Sequence, residues 1–188
     1  KPLAAGERIK LSLSLSAELR IIEPGRTTML AQGLESLERL KSGKRAGDYG
    51  LLARGDEIAS LASFYAVLGP FHDGKWDKPE GSSMGDLGAD RLSHVRARVL
   101  APANAKVVSS GISSQSATIA AGDAGLRRET LIRAAMVRDF ALLVSSRFES
   151  ASRKVGDVEV RSHFVERDKE AGARVLEAAA SSLATYEK

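Results

Sequence analysis

The sequence predicts a mainly β protein, an antiparallel sandwich followed by one C-terminal α-helix. Three observations carry that prediction. Residues 8–19, RIKLSLSLSAEL, alternate strictly: Ile9, Leu11, Leu13, Leu15, Ala17 and Leu19 share one face, and Lys10, Ser12, Ser14, Ser16 and Glu18 share the other. Residues 131–149, LIRAAMVRDFALLVSSRFE, read as two strands meeting at the polar corner Val137, Arg138, Asp139. The run from Phe140 to Val144 behind that corner is nearly all apolar, as in a strand covered on both sides. Finally, turn signals recur roughly every 8–12 residues, the spacing of sandwich strands.

The elements follow in order. The strict alternation of residues 8–19 predicts a long strand with one dry and one wet side, its Ser-rich face turned outward from an open sheet. Glu23, Pro24 and Gly25 signal a turn. Leu34, Leu37 and Leu40 have helical spacing, so a short helix is expected over 31–40, although Gly33 weakens it. Residues 42–48 are polar and predict a loop. Apolar blocks at 49–53 and 58–68 flank a turn at 54–57, and the second block is expected as an extended segment with a bend. Asp73 and Gly74 accept the positive φ of a tight hairpin turn. Residues 78–90 hold three glycines and Pro79 and predict a loop. Strands are expected at 92–100, 106–110 and 113–121, then through 131–149, 151–154 and 158–165. Asp168 can N-cap a closing helix with Glu170 in its first turn. Val175, Leu176, Ala179, Leu183 and Tyr186 line one face of that helix.

Composition narrows the function. The 188 residues carry a net charge of +4, and aromatics make up only 5%. The basic excess is spread along the chain, whereas nucleic-acid binding calls for Arg/Lys patches interleaved with aromatics. The short cluster from Lys41 to Arg45 reads as a solvated loop. With no cysteine, a disulfide framework and thiolate metal sites are excluded. No apolar run approaches the about 18 residues of a membrane helix. The chain starts without Met, almost inside a strand pattern, and stops inside a helix pattern. It is therefore expected to be a piece of a longer protein.

No catalytic, cofactor or metal site emerges from the residues. His72, His94 and His163 lack partners at ligand spacing, and there is no H-E-x-x-H, G-x-S-x-G, Walker or dinucleotide glycine pattern. His72 lies beside Asp73 in a turn. His94, beside Arg96 and Arg98, belongs to a polar sheet face, and His163, near Arg161 and Glu166, to the surface. Trp76 is expected to plug the hairpin onto the sheet. Arg138 and Asp139 are expected to form a local ion pair that also satisfies turn backbone. Tyr65 is expected at the core or its rim.

Several blocks in order carry a resemblance. They are Gly47-Asp48-Tyr49-Gly50-Leu51-Leu52-Ala53, Ser63-Phe64-Tyr65-Ala66-Val67-Leu68, Asp73-Gly74-Lys75-Trp76, Val95-Arg96-Ala97-Arg98-Val99-Leu100-Ala101-Pro102 and Met136-Val137-Arg138-Asp139-Phe140-Ala141. Val158-Glu159-Val160-Arg161-Ser162 and the last helix complete the series. It resembles the N-terminal β-domain of aminopeptidase-N-like zinc metallopeptidases, particularly bacterial ones. Ala66 departs from the family's usual Pro after the paired aromatics.

The resemblance implies a saddle-like β-domain over residues 1–156. It implies a strand and helix over 157–188 that open a thermolysin-like catalytic domain. The family's G-x-M-E-N loop and zinc helix come later than this chain reaches; Gly81-Ser82-Ser83-Met84-Gly85-Asp86 is not that loop. The chain itself is then expected to bind no zinc and cleave nothing. Zinc would sit in the catalytic domain of the parent, and that domain would be the partner of this one. Peptide substrate would be met only through the parent, and an oligomer could form through the last helix. The alternatives are an independent β-sandwich recognition or adhesion module, and a fragment of a parent that has lost its metal site.

Overall fold

The computed structural model describes residues 4, 6–22, 34, 37, 38, 41, 42, 52–55, 57–62, 64–67, 69, 71–76, 92–120 and 125–186. Its strands, in chain order, are β1 (Arg20–Ile21), β2 (Leu52–Arg54), β3 (Ala59–Ala62), β4 (Phe71–His72), β5 (Lys75–Trp76), β6 (Ser93–Pro102), β7 (Lys106–Ser109), β8 (Ile112–Ala120), β9 (Leu126–Val137), β10 (Ala141–Ser145), β11 (Glu149–Val155) and β12 (Val158–Phe164). A single 3₁₀ turn, Glu166–Asp168, leads into the helix Lys169–Tyr186. The protein is mainly β, with antiparallel sheets and one C-terminal helix, as the sequence predicts.

Two sheets build the sandwich. One has the order β1-β2-β3-β10-β7, and only β1 and β2 run parallel. The other is β6-β9-β8, antiparallel throughout. Period-two alternation decides which side of β6 is dry. Val95, Ala97 and Val99 turn inward and lie opposite Ala134, Ile132 and Thr130 of β9. His94, Arg96, Arg98 and Leu100 are left outside.

The core sits where β9 becomes β10. Ile132 and Phe140 are 1% and 2% exposed, and Ala134 and Leu142 complete a cluster edged by Leu61, Phe64, Val95 and Val107. The chain crosses from one sheet to the other at residues 138–140, so the predicted corner is present. Met136 enters it at φ 55°, a left-handed backbone in a non-glycine residue. The corner amide is satisfied by a ring: Phe140 N–H donates to Tyr65 Oη at 3.2 Å. The Phe64, Tyr65 and Phe140 rings meet edge-on or tilted, with centroids 5.3–6.4 Å apart. Tyr65 thus belongs to the core rim, as expected.

Several expectations are corrected. β10 is not covered on both sides: Leu142 is buried while Leu143 is 37% exposed, because only one face of its sheet meets the other. The larger correction concerns residues 8–19. Among the described residues they pair with no strand, and Ile9, Leu11, Leu13 and Leu15 are 63–71% exposed. Alternation specifies a face, but the pairing partner is not encoded in the segment itself. Arg138 and Asp139 are both exposed, and the Tyr65 hydroxyl accepts from the Phe140 amide at their corner. Asp168 ends the 3₁₀ turn instead of capping the helix, and its N–H bonds Val165 O at 2.8 Å.

The hairpin at Asp73 and Gly74 forms as predicted, with φ of 49° and 77°, the positive pair of a type I′ turn. Leu34, Leu37, Glu38 and Lys41 are helical, consistent with the expected short helix. The remainder of that helix, the Glu23-Pro24-Gly25 turn, the block 47–51, most of the 42–48 loop, the cluster from 43 to 45 and the loop 78–90 lie outside the described residues.

Candidate functional site

The C-terminal unit is built from a hairpin and a helix. Among the described residues β11 and β12 pair only with each other, in full register from Glu149↔Phe164 to Val155↔Val158. Gly156 turns between them at φ 53°. The expected junction at 156/157 therefore lies within this hairpin turn. The helix folds back on the hairpin and presses Gly172 against the Phe164 ring. A Cβ built on Gly172 would stand 2.3 Å from Phe164 Cδ1, so only glycine permits this approach. Gly172 and Ala180 are buried, and Leu176 and Leu183 are half-buried on the same side. Arg153 on β11 and Glu177 on the helix form an exposed ion pair, which holds the Glu177 carboxyl below its ordinary value.

The apolar stripe expected on the helix is thus split in two. Leu176 and Leu183 pack inward. Val175 (62% exposed), Ala179 and Tyr186 (87%) form a second apolar stripe, at i, i+4 and i+11, that faces water. The hairpin is too narrow to cover both.

A single carboxylate fastens this unit to the sandwich. Glu57, in the turn between β2 and β3, is 13% exposed at its side chain. Its Oε1 accepts from Arg147 Nη1 at 2.7 Å, just before β11. Its Oε2 lies 3.3 Å from Arg167 Nε, just before the helix, and is buried without a geometrically sound hydrogen bond. Lys106 on β7 adds a second tie, donating from Nζ to Phe148 O at 2.6 Å. These partners are 42 to 110 residues apart in sequence, and no local motif marks them.

A second surface lies on the outer face of the sheet β6-β9-β8. Arg96 stands directly opposite Arg133 in the ladder, and neither has an acidic partner among the described residues. Like charges facing each other across strands cost stability unless something neutralises them. Arg98 is partnered by Glu129. His94, Ile112 and Gln115 border the same face, which holds two shallow hollows of about 340 and 430 Å³. The sequence showed cations spread along the chain. Register gathers them, because β6 and β9 bring together residues more than thirty positions apart.

The remaining predicted positions stay separate. His72, His94 and His163 fall in β4, β6 and β12, which belong to three different sheets. Among the described residues no group of three or more His, Cys, Asp or Glu could hold a metal ion, so these residues do not fit a zinc site. Trp76 is 55% exposed, and its ring meets Phe71 of its own hairpin at 5.0 Å. His163 is held below the ordinary imidazole value by burial, then by Arg161 and Lys106. No described helix is long and apolar enough to cross a membrane. Comparison with protein-family models, curated proteins and solved structures found no match to this chain.

Proposed function

We propose that this chain is the non-catalytic β-domain of an aminopeptidase-like zinc metallopeptidase, together with the first elements of the catalytic domain. Its work is mechanical. The sandwich walls one side of a substrate cleft, and the hairpin–helix unit is where the catalytic domain continues. Zinc and the water it activates for attack on an N-terminal peptide bond belong to that following domain.

One observation carries the reading: the uncovered stripe Val175, Ala179 and Tyr186 on a helix that already packs its other side. Such a stripe is a surface awaiting a neighbour. The Glu57 tie supports it, since a scaffold must hold its neighbour's first elements in fixed register.

The test uses the parent polypeptide extended past residue 188. It should contain H-E-x-x-H with a Glu about 18–20 residues beyond, bind zinc and hydrolyse aminoacyl p-nitroanilides, while the 188-residue chain does neither. Hydrogen exchange should show the amides of residues 175–186 protected in the parent. A longer parent that leaves them as open as they are here would overturn the reading. So would peptidase activity in the short chain.

The face of Arg96 and Arg133, which have no acidic partner among the described residues, favours a second reading, an independent recognition module for an acidic partner. It predicts that Arg96→Glu abolishes function without altering any peptidase activity.

A further inference from the structure

We infer that residues 9–19 form an intermolecular strand, pairing antiparallel with the same residues of a second copy of this chain. The inference is independent of the peptidase reading.

It starts from an anomaly. The segment has the most regular alternation in the chain, yet among the described residues it has no strand partner, and Ile9, Leu11, Leu13 and Leu15 of its apolar side lie in water while Leu19 is half-buried. It runs directly into β1, the edge strand of the five-stranded sheet, so it is tethered there, with Ile22 N–H bonded to Arg54 O at 2.9 Å. Unpaired amphipathic strands of this kind are templates for another chain.

The segment is complementary to itself. Placed antiparallel about a twofold axis at Ser14, Lys10 of each copy lies opposite Glu18 of the other. Ser12 lies opposite Ser16. On the other face Ile9 meets Leu19, Leu11 meets Ala17 and Leu13 meets Leu15. Every polar residue faces a polar one, every apolar residue faces an apolar one, and both charge pairs are opposite in sign. Such an isologous contact closes as a dimer, and opposite charges across a ladder stabilise it.

Among the described strands, the free edges β6, β7 and β8 of the two larger sheets fit less well. β8 has no charged residue to meet Lys10 or Glu18. β6 would set His94, Arg96 and Arg98 beside Lys10. β7 is only four residues long.

The experiment is sedimentation of the full 188-residue chain at low salt over about 1–200 µM, where weak strand-mediated dimers dissociate. The wild-type chain should dimerise. Glu18→Lys sets lysines against lysines twice and should weaken the dimer at least about tenfold. Lys10→Glu combined with Glu18→Lys restores opposite charges and should return affinity to within about threefold of wild type. Adjacent prolines, Leu13→Pro with Ser14→Pro, remove an inward N–H whichever way the ladder is phased and should leave monomers. All substitutions lie in an exposed segment, and circular dichroism checks that the sandwich is intact. A wild-type chain that stays monomeric overturns the inference. So does a dimer that survives the prolines, or one that the double charge swap fails to restore.

Discussion

Two stretches of this protein have nearly the same pattern and opposite fates. Residues 9–19 and strand β6 both alternate apolar and polar side chains for about ten positions. In β6 the apolar set is drawn inward because β9 lies alongside and Ile132, Thr130 and Ala134 receive it. In the N-terminal stretch nothing described lies alongside, and the same kind of set is exposed. The difference teaches that periodicity writes a face into a segment, while the ladder that uses the face is set by distant sequence.

That comparison can be broken at its strongest point. Phe140→Ala removes the ring that joins the two sheets and should cost about 3–5 kcal/mol by chemical denaturation. A loss below about 1 kcal/mol would show that the core does not centre on the corner. The hairpin–helix unit sharpens the comparison next. Alanine is the better helix former, yet at 172 it should destabilise by about 2 kcal/mol, because its methyl group meets the Phe164 ring. Increased thermal stability for Gly172→Ala would contradict that packing.

Smaller effects follow. Glu57→Gln removes the charge shared by Arg147 and Arg167, both largely exposed, and should cost about 1 kcal/mol. Its signature is faster hydrogen exchange in β11, β12 and the helix, with the sandwich unchanged. His163 supplies a pH dependence. Its folded pKa lies below the unfolded value of about 6.5, so the native state disfavours the proton. Stability should be constant above that value and fall as pH drops from there through the folded pKa. An imidazole titration by NMR should place its midpoint below 6.5, and Lys106→Met should raise it. The smallest effect is the other end of the comparison. Leu13→Ser in dilute solution should change monomer stability by less than about 0.5 kcal/mol, as befits a side chain already in water.

What could be read in advance follows the same division. The corner at 137–139, the Asp73 and Gly74 turn, β6 through β12 and the closing helix were legible because each is written in local spacing and turn chemistry. The failures were all relational. The uncovered stripe on the helix could not be separated from the buried one, because both lie within a single broad apolar arc. Arg96 and Arg133 looked dispersed until register set them face to face. Glu57 looked like one polar turn residue among four. Its role depends on two arginines that arrive much later in the chain.

That last carboxylate has a consequence for how the molecule assembles during synthesis. Arg147 and Arg167 emerge from the ribosome long after the turn that carries Glu57. The strand beside that turn, β3, is itself completed by β10, which ends at Ser145, two residues before Arg147. The carboxylate therefore waits through most of synthesis for both its sheet and its counter-charges, and each such long-range closure slows folding.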